Sequence, residues 1–248
     1  MTENMPDKEQ PKKERKGVWG WIVGAAVAVL KLFKPLLLLL GKGKMIFSML
    51  AFFGVYWSMY GWQWALGFVL CIFVHEMGHV TALKRHGVDA TAPMFIPFLG
   101  AFVQIKGQLK SDVDNARCGI AGPEWGLYAT LGCYALYYAT HIEIFKAVGH
   151  TSAYINLFNL IPVWQLDGSR AIDGLSQNQR LILMGLSGVL AFLLHAGLLW
   201  IIAAVMLYRG LKPREDGHSD ATGFWIYAGI LVALSYLSEF DTVLAMLA

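Results

Sequence analysis

The chain has 248 residues, of which 56% are hydrophobic and only 15% charged. Soluble domains of this length carry a larger charged fraction, so the composition excludes a soluble globular protein and indicates several membrane-spanning segments. The net charge of +3 is small. We attribute the basic excess to membrane topology and contact with anionic lipid, and we expect no nucleic-acid partner.

Basic residues near the start of the chain predict its orientation. Nine lysines and arginines precede the first uninterrupted apolar run: Lys8, Lys12, Lys13, Arg15, Lys16, Lys31, Lys34, Lys42 and Lys44. By the positive-inside rule this end is cytoplasmic. We predict a disordered cytoplasmic tail at 1–17 and an interfacial or re-entrant helix at 18–44. Whether 18–40 crosses the membrane stays open.

Apolar runs after residue 44 predict an all-α polytopic bundle of about six transmembrane helices. The predicted spans are 45–60, 65–84, 116–139, a shorter one from 152 that Pro162 ends, 181–208 and 223–238. We divide this part into a membrane core at 45–168 and C-terminal transmembrane helices at 169–248. The expected location is a bacterial cytoplasmic membrane, with the N-terminus cytoplasmic.

The loops follow from these spans. We expect outer loops at 141–150 and 209–222, a cytoplasmic loop at 170–180, and Glu239 and Asp241 near a cytoplasmic exit. This topology puts sixteen of the 20 basic residues inside, although those in 209–222 conflict with the rule. His195, inside the fifth span, has no helical partner and is expected to hydrogen-bond in the bundle interior.

An HExxH pattern, His75-Glu76-Met-Gly-His79, lies in the second span. Imidazoles four residues apart on a helix can bind one metal ion, and Glu76 would stand beside that ion to take a proton from water on it. Ionisable groups at bilayer depth are costly unless they face a wet cavity and have a role there. The alternative is a chance histidine pair that hydrogen-bonds inside the bundle. His79 is about 8 Å of helix rise from the basic residues that end this span, so the metal belongs in the cytoplasmic half.

Residues 91–108 break the helical pattern with two prolines, β-branched residues and a glycine. They predict a small membrane-dipping β-hairpin or re-entrant loop, which must lie against protein or a water-filled cavity. A surface loop with buried aromatics is the alternative.

Two further motifs concern the third and fourth spans. In Ala121-Gly-Pro-Glu124-Trp-Gly126 the proline should kink the helix, and the glycines should let a neighbour approach closely. Glu124 either faces the active-site cavity or has a paired packing role. Pro162 should end the fourth span, leaving 163–166 extended and Asp167 on a turn at Gly168. Asp167 is the natural third ligand beside His75 and His79, although an L-D-G sequence is also a common turn.

These segments together resemble one family. HEMGH, AGPEWG and Asn159-Leu-Ile-Pro-Val-Trp-Gln-Leu-Asp167-Gly are similar, in this order, to the HExxH, GP and NxxPxxxLDG patterns of the site-2 proteases, which are intramembrane zinc metalloproteases of the M50 type. The resemblance covers about 43–168. It implies one Zn²⁺ bound by His75, His79 and Asp167, Glu76 as catalytic base, and Asn159 as a catalytic group that holds substrate or oxyanion. It also implies that the hairpin pairs with an unwound substrate.

The chain departs from the family pattern at Gly126, where many members carry asparagine, and at Glu124. We find no PDZ-like or CBS-like domain in the sequence. The expected activity is endoproteolysis of transmembrane-helix substrates within the lipid bilayer, in regulated intramembrane proteolysis or clearance of signal-peptide remnants. The alternative is a non-proteolytic membrane protein that uses the zinc site structurally or in transport. The sequence leaves the oligomeric state unknown.

Overall fold

The computed structural model describes residues 43–212 and 219–241. The predictions for the tail at 1–17 and for most of 18–44 lie outside these residues. The chain divides into two units, Met1–Lys44 and Met45–Ala248. The second unit contains the HExxH motif and all of the predicted spans.

The described part is mostly helical and contains a small hairpin, as the sequence predicts. The elements are α1 (Lys44–Tyr60), α2 (Trp62–Arg85), β1 (Met94–Ile96), β2 (Gly100–Phe102), α3 (Asp112–Thr140), α4 (Glu143–Asn159), α5 (Asp167–Ala171), α6 (Gln177–Leu194), α7 (Gly197–Gly210) and α8 (Ala221–Ser238). Two of these helices, α2 and α8, are long and apolar enough to cross a membrane by length and composition. The six predicted spans are therefore not confirmed.

Aromatic packing fixes the hairpin against α1 and α2. β1 and β2 are antiparallel, with Phe95 opposite Ala101. The Phe95 ring is buried and lies edge-on to Phe52, 5.8 Å between centroids, and Phe52 in turn packs on Phe68 of α2. The Phe95 amide also donates to Ser48 Oγ, at 3.2 Å. The strand pair is thus held beside α2, which carries the HExxH motif.

Two helix boundaries differ from the sequence prediction. α3 runs without interruption through Pro123 and ends at Thr140, where His141 adopts a left-handed conformation (φ 57°). α4 then begins at Glu143, so the predicted outer loop at 141–150 is wrong: all but its first two residues are helical.

The predicted long span at 181–208 is also wrong, because it forms two packed helices. α6 ends at Leu194, His195 adopts a left-handed conformation (φ 54°), and α7 runs back from Gly197. His195 is exposed at this reversal. It is therefore not the interior hydrogen-bonding residue that the sequence suggested.

This reversal moves the loop after α7 to the other end of the bundle. Arg117, near the start of α3, donates two hydrogen bonds of 2.7 Å to Asp220 at the start of α8. Arg209, at the end of α7, donates to Asp173 at 3.3 Å. The described residues of 209–222 therefore lie with the starts of α3, α6 and α8, which we call the basic end, and their assignment to an outer loop is wrong.

The end of α8 also lies at the other end of the bundle from the one that the sequence predicts. The Tyr134 hydroxyl, in the second half of α3, donates to the Leu237 carbonyl at 2.7 Å. Lys146, near the start of α4, forms an ion pair with Asp241. Glu239 and Asp241 thus lie at the end opposite the basic end, contrary to the predicted cytoplasmic exit.

Candidate metal and catalytic site

α2 presents the HExxH histidines on one buried face. The side chains of His75 and His79 are almost fully buried, and their Nε2 atoms are 3.2 Å apart. The Nδ1–H of His79 donates to the carbonyl of Cys118 on α3, at 2.9 Å, and that of His75 donates to Asn156 Oδ1 on α4, at 2.7 Å. Both Nε2 lone pairs are therefore free to bind an ion.

Asp167 reaches the same point from a different segment. After α4 ends, Trp164 takes a left-handed conformation (φ 48°) and the chain turns into α5, whose first residue is Asp167. Its carboxylate oxygens lie 3.0 Å from His75 Nε2 and 3.1 Å from His79 Nε2. The expected extended run at 163–166 is a turn, but it delivers the carboxylate to the two imidazoles.

These three side chains could hold a metal ion. Their ligand atoms all lie within 4.8 Å of one another. Two ligands of a tetrahedral zinc ion are about 3.3 Å apart when each bond is about 2.0–2.1 Å. The observed separations of 3.0–3.2 Å match that spacing closely, and two imidazoles plus one carboxylate is a donor set that zinc accepts.

Glu76 stands next to this group without joining it. It is buried one residue after His75 and lines both cavities that border the site. A carboxylate in that position is available to exchange protons with water at the site, because its oxygens are not among the three converging ligands.

Of the two other candidate residues from the sequence motifs, Asn159 borders the site and Glu124 does not line its cavities. Asn159, the last residue of α4, is half-buried and lines the same two cavities as Glu76. Glu124 lines neither of them and accepts a hydrogen bond from Tyr128, at 2.9 Å.

Asn156 is a site residue that the sequence analysis missed. It is buried, and besides its contact with His75 it donates from Nδ2 to the Ser152 carbonyl at 2.8 Å. One signal was present in the sequence: Asn156 is an amide inside an apolar run, three residues before Asn159. Polar side chains in such runs tend to hydrogen-bond to neighbouring helices.

Glycines let α3 approach the site closely, as their sequence pattern predicts. A Cβ built on Gly122 would lie 2.7 Å from His75 Nε2, and one built on Gly78 would lie 2.9 Å from Trp125. A Cβ on Gly126 would overlap the amide of Asn156. Only residues without side chains fit at these crossings.

Two cavities meet at the candidate site. The larger, of about 870 Å³, is lined by the three ligands, Glu76, Arg170 and residues 101–105 of the hairpin. The smaller, of about 200 Å³, lies between α1, α2 and α4 and includes Glu76 and both asparagines. Within the described residues β2 pairs only with β1, so its second edge is open beside the larger cavity.

Comparison with known proteins gave one family match. The model of peptidase family M50 matches residues 63–141, a stretch that runs from α2 through α3 and contains HEMGH and AGPEWG. The match confirms the resemblance drawn from the motifs and indicates a peptidase. It ends before Asp167, whose position beside the histidines comes from the fold. No curated protein and no solved structure matched the chain.

Proposed function

We propose that this chain is a zinc-dependent intramembrane endopeptidase. The premise is its membership of peptidase family M50, whose model matches residues 63–141. The observation that carries the proposal is the convergence of His75, His79 and Asp167 from two separate segments, with Glu76 beside them. The proposed substrate is a transmembrane-helix protein, cleaved within or near its spanning segment in regulated intramembrane proteolysis or signal-peptide clearance.

The donor set assigns the metal-binding roles. His75 and His79 would bind zinc through Nε2, because Nδ1 of each is engaged with Asn156 or Cys118, and Asp167 would bind through its carboxylate. Zinc bound there would act as a Lewis acid that polarises the scissile carbonyl and lowers the pKa of water.

Glu76 moves the proton in this proposal. Its carboxylate takes a proton from a water molecule, whose oxygen forms a bond to the carbonyl carbon of the scissile peptide. The C–N bond then breaks, and Glu76 delivers the proton to the leaving nitrogen. Asn159, on the wall shared with Glu76, donates its amide N–H to the substrate backbone or to the developing oxyanion.

The open edge of β2 gives a substrate segment a place to bind. A peptide bond in an intact helix is shielded by its own hydrogen bonds, so it must unwind before it can be cleaved. An unwound segment has free backbone donors and acceptors, which can pair with an exposed strand edge. Residues 101–105 line the same cavity as Glu76 and Asp167, so pairing there would carry the scissile bond to the ligands.

The distribution of charge supports a cytoplasmic active-site side. Ten lysines and arginines occur between residues 45 and 212. Lys146 alone is at the opposite end. The other nine are at or next to the basic end: Lys84, Arg85, Lys106, Lys110, Arg117, Arg170, Arg180, Arg209 and Lys212. By the positive-inside rule, such an asymmetry supports a cytoplasmic location of the basic end.

Replacing Glu76 with glutamine tests the proposal. The purified Glu76→Gln variant in detergent should keep zinc at one ion per chain, measured by elemental analysis, because Glu76 is not a ligand. Cleavage of single-span substrates should fall about 10²–10⁴-fold, since that is the usual contribution of a proton-transfer group and glutamine cannot act as a base.

The parent chain and an Asp167→Ala variant provide the controls. The Asp167→Ala variant should lose both zinc and cleavage. Unchanged turnover in Glu76→Gln would contradict the assigned role. Zinc in the parent chain without cleavage of any membrane-protein substrate would favour a structural or transport site.

A further inference from the structure

Asn156 makes a directed contact with the candidate metal centre. It lies on α4, one turn before the end of the helix, and its side chain is only 3% exposed. Its Nδ2 donates to the Ser152 carbonyl at 2.8 Å. A carbonyl only accepts hydrogen bonds, so this contact fixes the orientation of the amide and turns Oδ1 toward His75.

The orientation of the Asn156 amide determines which ring nitrogen of His75 carries the proton. Because Oδ1 can only accept, the Nδ1 of His75, 2.7 Å away, must carry the proton. The lone pair of the ring then lies on Nε2, which is 3.0 Å from the Asp167 carboxylate. The other imidazole is held by a backbone carbonyl, that of Cys118. Asn156 is thus the side chain that sets the tautomer and the ring orientation of His75.

Gly126 confines the amide from the opposite side. A Cβ at position 126 would lie 2.5 Å from Asn156 Nδ2, and closer still to the other amide atoms. The α3 backbone therefore occupies the space into which the Asn156 side chain could otherwise rotate.

We propose that Asn156 is the positioning residue for the zinc ligand His75, and that Gly126 is glycine because the Asn156 amide fills the space that a side chain there would need. The inference rests on the proposed zinc site. Outer hydrogen-bond partners of ligating histidines fix the ring and raise its basicity, and their loss costs about 10–100-fold in metal affinity or activity.

The first experiment compares Asn156→Leu with Asn156→Asp in the full-length purified chain. Zinc affinity is measured by competition with a chromophoric chelator, without any substrate. Asn156→Leu keeps a similar volume but cannot accept from His75, so its affinity should fall about 10–100-fold. Asn156→Asp keeps the acceptor and should bind zinc within about threefold of the parent or more tightly, since a carboxylate raises imidazole basicity.

The second experiment moves the amide to the other helix. Gly126→Asn alone should lose zinc affinity, since its side chain overlaps that of Asn156. The double variant Gly126→Asn/Asn156→Ala frees that space and provides an amide from α3. It should bind zinc at least about tenfold more tightly than the single variant Asn156→Ala. A role in packing alone would give no such recovery.

Ser187→Ala is the matched control, because Ser187 is buried and donates to a carbonyl of its own helix, α6. It should bind zinc as the parent does. Parental zinc affinity in Asn156→Leu would overturn the proposal, as would equal losses in the leucine and aspartate variants. Zinc binding by the parent without proteolysis would count against the proposed function alone, since the affinity comparison does not use cleavage.

Discussion

Asp167 reaches the imidazoles because the next residue has no side chain. A Cβ on Gly168 would overlap the carbonyl of Leu160 and lie 2.8 Å from the carbonyl carbon of Ile161, both at the end of α4. The start of α5 is therefore pressed against the chain that leaves α4. Any side chain at position 168 must push α5, and Asp167 with it, away from α2.

Gly168→Ala should therefore move the Asp167 carboxylate away from His75 and His79. We expect zinc affinity to fall at least about tenfold, measured by chelator competition, while the helical circular dichroism stays at the parental level. Gly185→Ala is the matched control, since nothing lies within 4 Å of a Cβ on that α6 glycine. It should keep zinc and gain up to about 1 kcal/mol of stability from better helix propensity. Parental zinc affinity in Gly168→Ala would contradict this account of the turn.

At this scale the sequence predicts best what depends on local geometry. The spacing of His75 and His79 is a property of any helix, so their shared face could be predicted without the fold. Asn156 could not be found in this way, because its partner His75 is 81 residues earlier in the chain. An isolated amide in an apolar helix indicates a hydrogen bond without indicating the partner.

Among the secondary-structure elements, the hairpin packs one fully buried ring, that of Phe95, against α1. Phe95 is 3% exposed, whereas Met94, the preceding residue of β1, points outward and is 41% exposed. This alternation follows from the twofold periodicity of a strand. Removing the Phe95 ring should loosen the strand pair while leaving α2 and α5 in place.

Phe95→Ala should accordingly separate substrate binding from metal binding. We expect the kcat/KM of a single-span substrate to fall at least about tenfold with zinc content unchanged, because the ligands come from α2 and α5. Met94→Ala removes a side chain from the outward face of the same strand and should have less than about a threefold effect. Loss of zinc in Phe95→Ala, or parental cleavage by it, would show that the hairpin does not have this separate role.

The same scale shows where hydropathy fails. Residues 181–208 form an unbroken apolar run without proline, and hydropathy alone does not separate one long span from two short antiparallel helices. Length was the available signal, since 28 helical residues extend about 42 Å and the hydrocarbon core is about 30 Å thick. The bounds of α3 and α4 differ from the predicted ones for a related reason. Two residues, His141 and Ile142, suffice to reverse the chain, so most of the expected loop at 141–150 is helix.

For the molecule as a whole, the reversal at His195 resolves a conflict in the sequence. The basic residues after α7 disagreed with the positive-inside rule when 209–222 was assigned to the outside. The contacts of Arg117 with Asp220 and of Arg209 with Asp173 place the described residues of this stretch with the other basic residues. No local pattern could reveal this, because Arg117 and Asp220 are 103 residues apart in the chain.

Cysteine accessibility should confirm this arrangement. Lys146→Cys and Lys212→Cys, each introduced singly, place a thiol at opposite ends of the bundle. In intact cells a membrane-impermeant maleimide should label position 146, and position 212 should react only after permeabilisation, because the proposed topology puts the basic end in the cytoplasm. The parent chain measures background from its own three cysteines. Labelling of both positions in intact cells would contradict the proposed topology.

The close approach of α3 at Gly122 also bears on inhibition. Because a Cβ there would lie 2.7 Å from His75 Nε2, the main chain of α3 closes one side of the ligand cluster. The open side faces residues 101–105. A chelating compound such as a hydroxamate that reaches the proposed zinc site through the larger cavity would pass along this wall, so its tail would run beside the hairpin. Potency should then depend on how well an extended, strand-like tail fits that wall, more than on the strength of the chelating group.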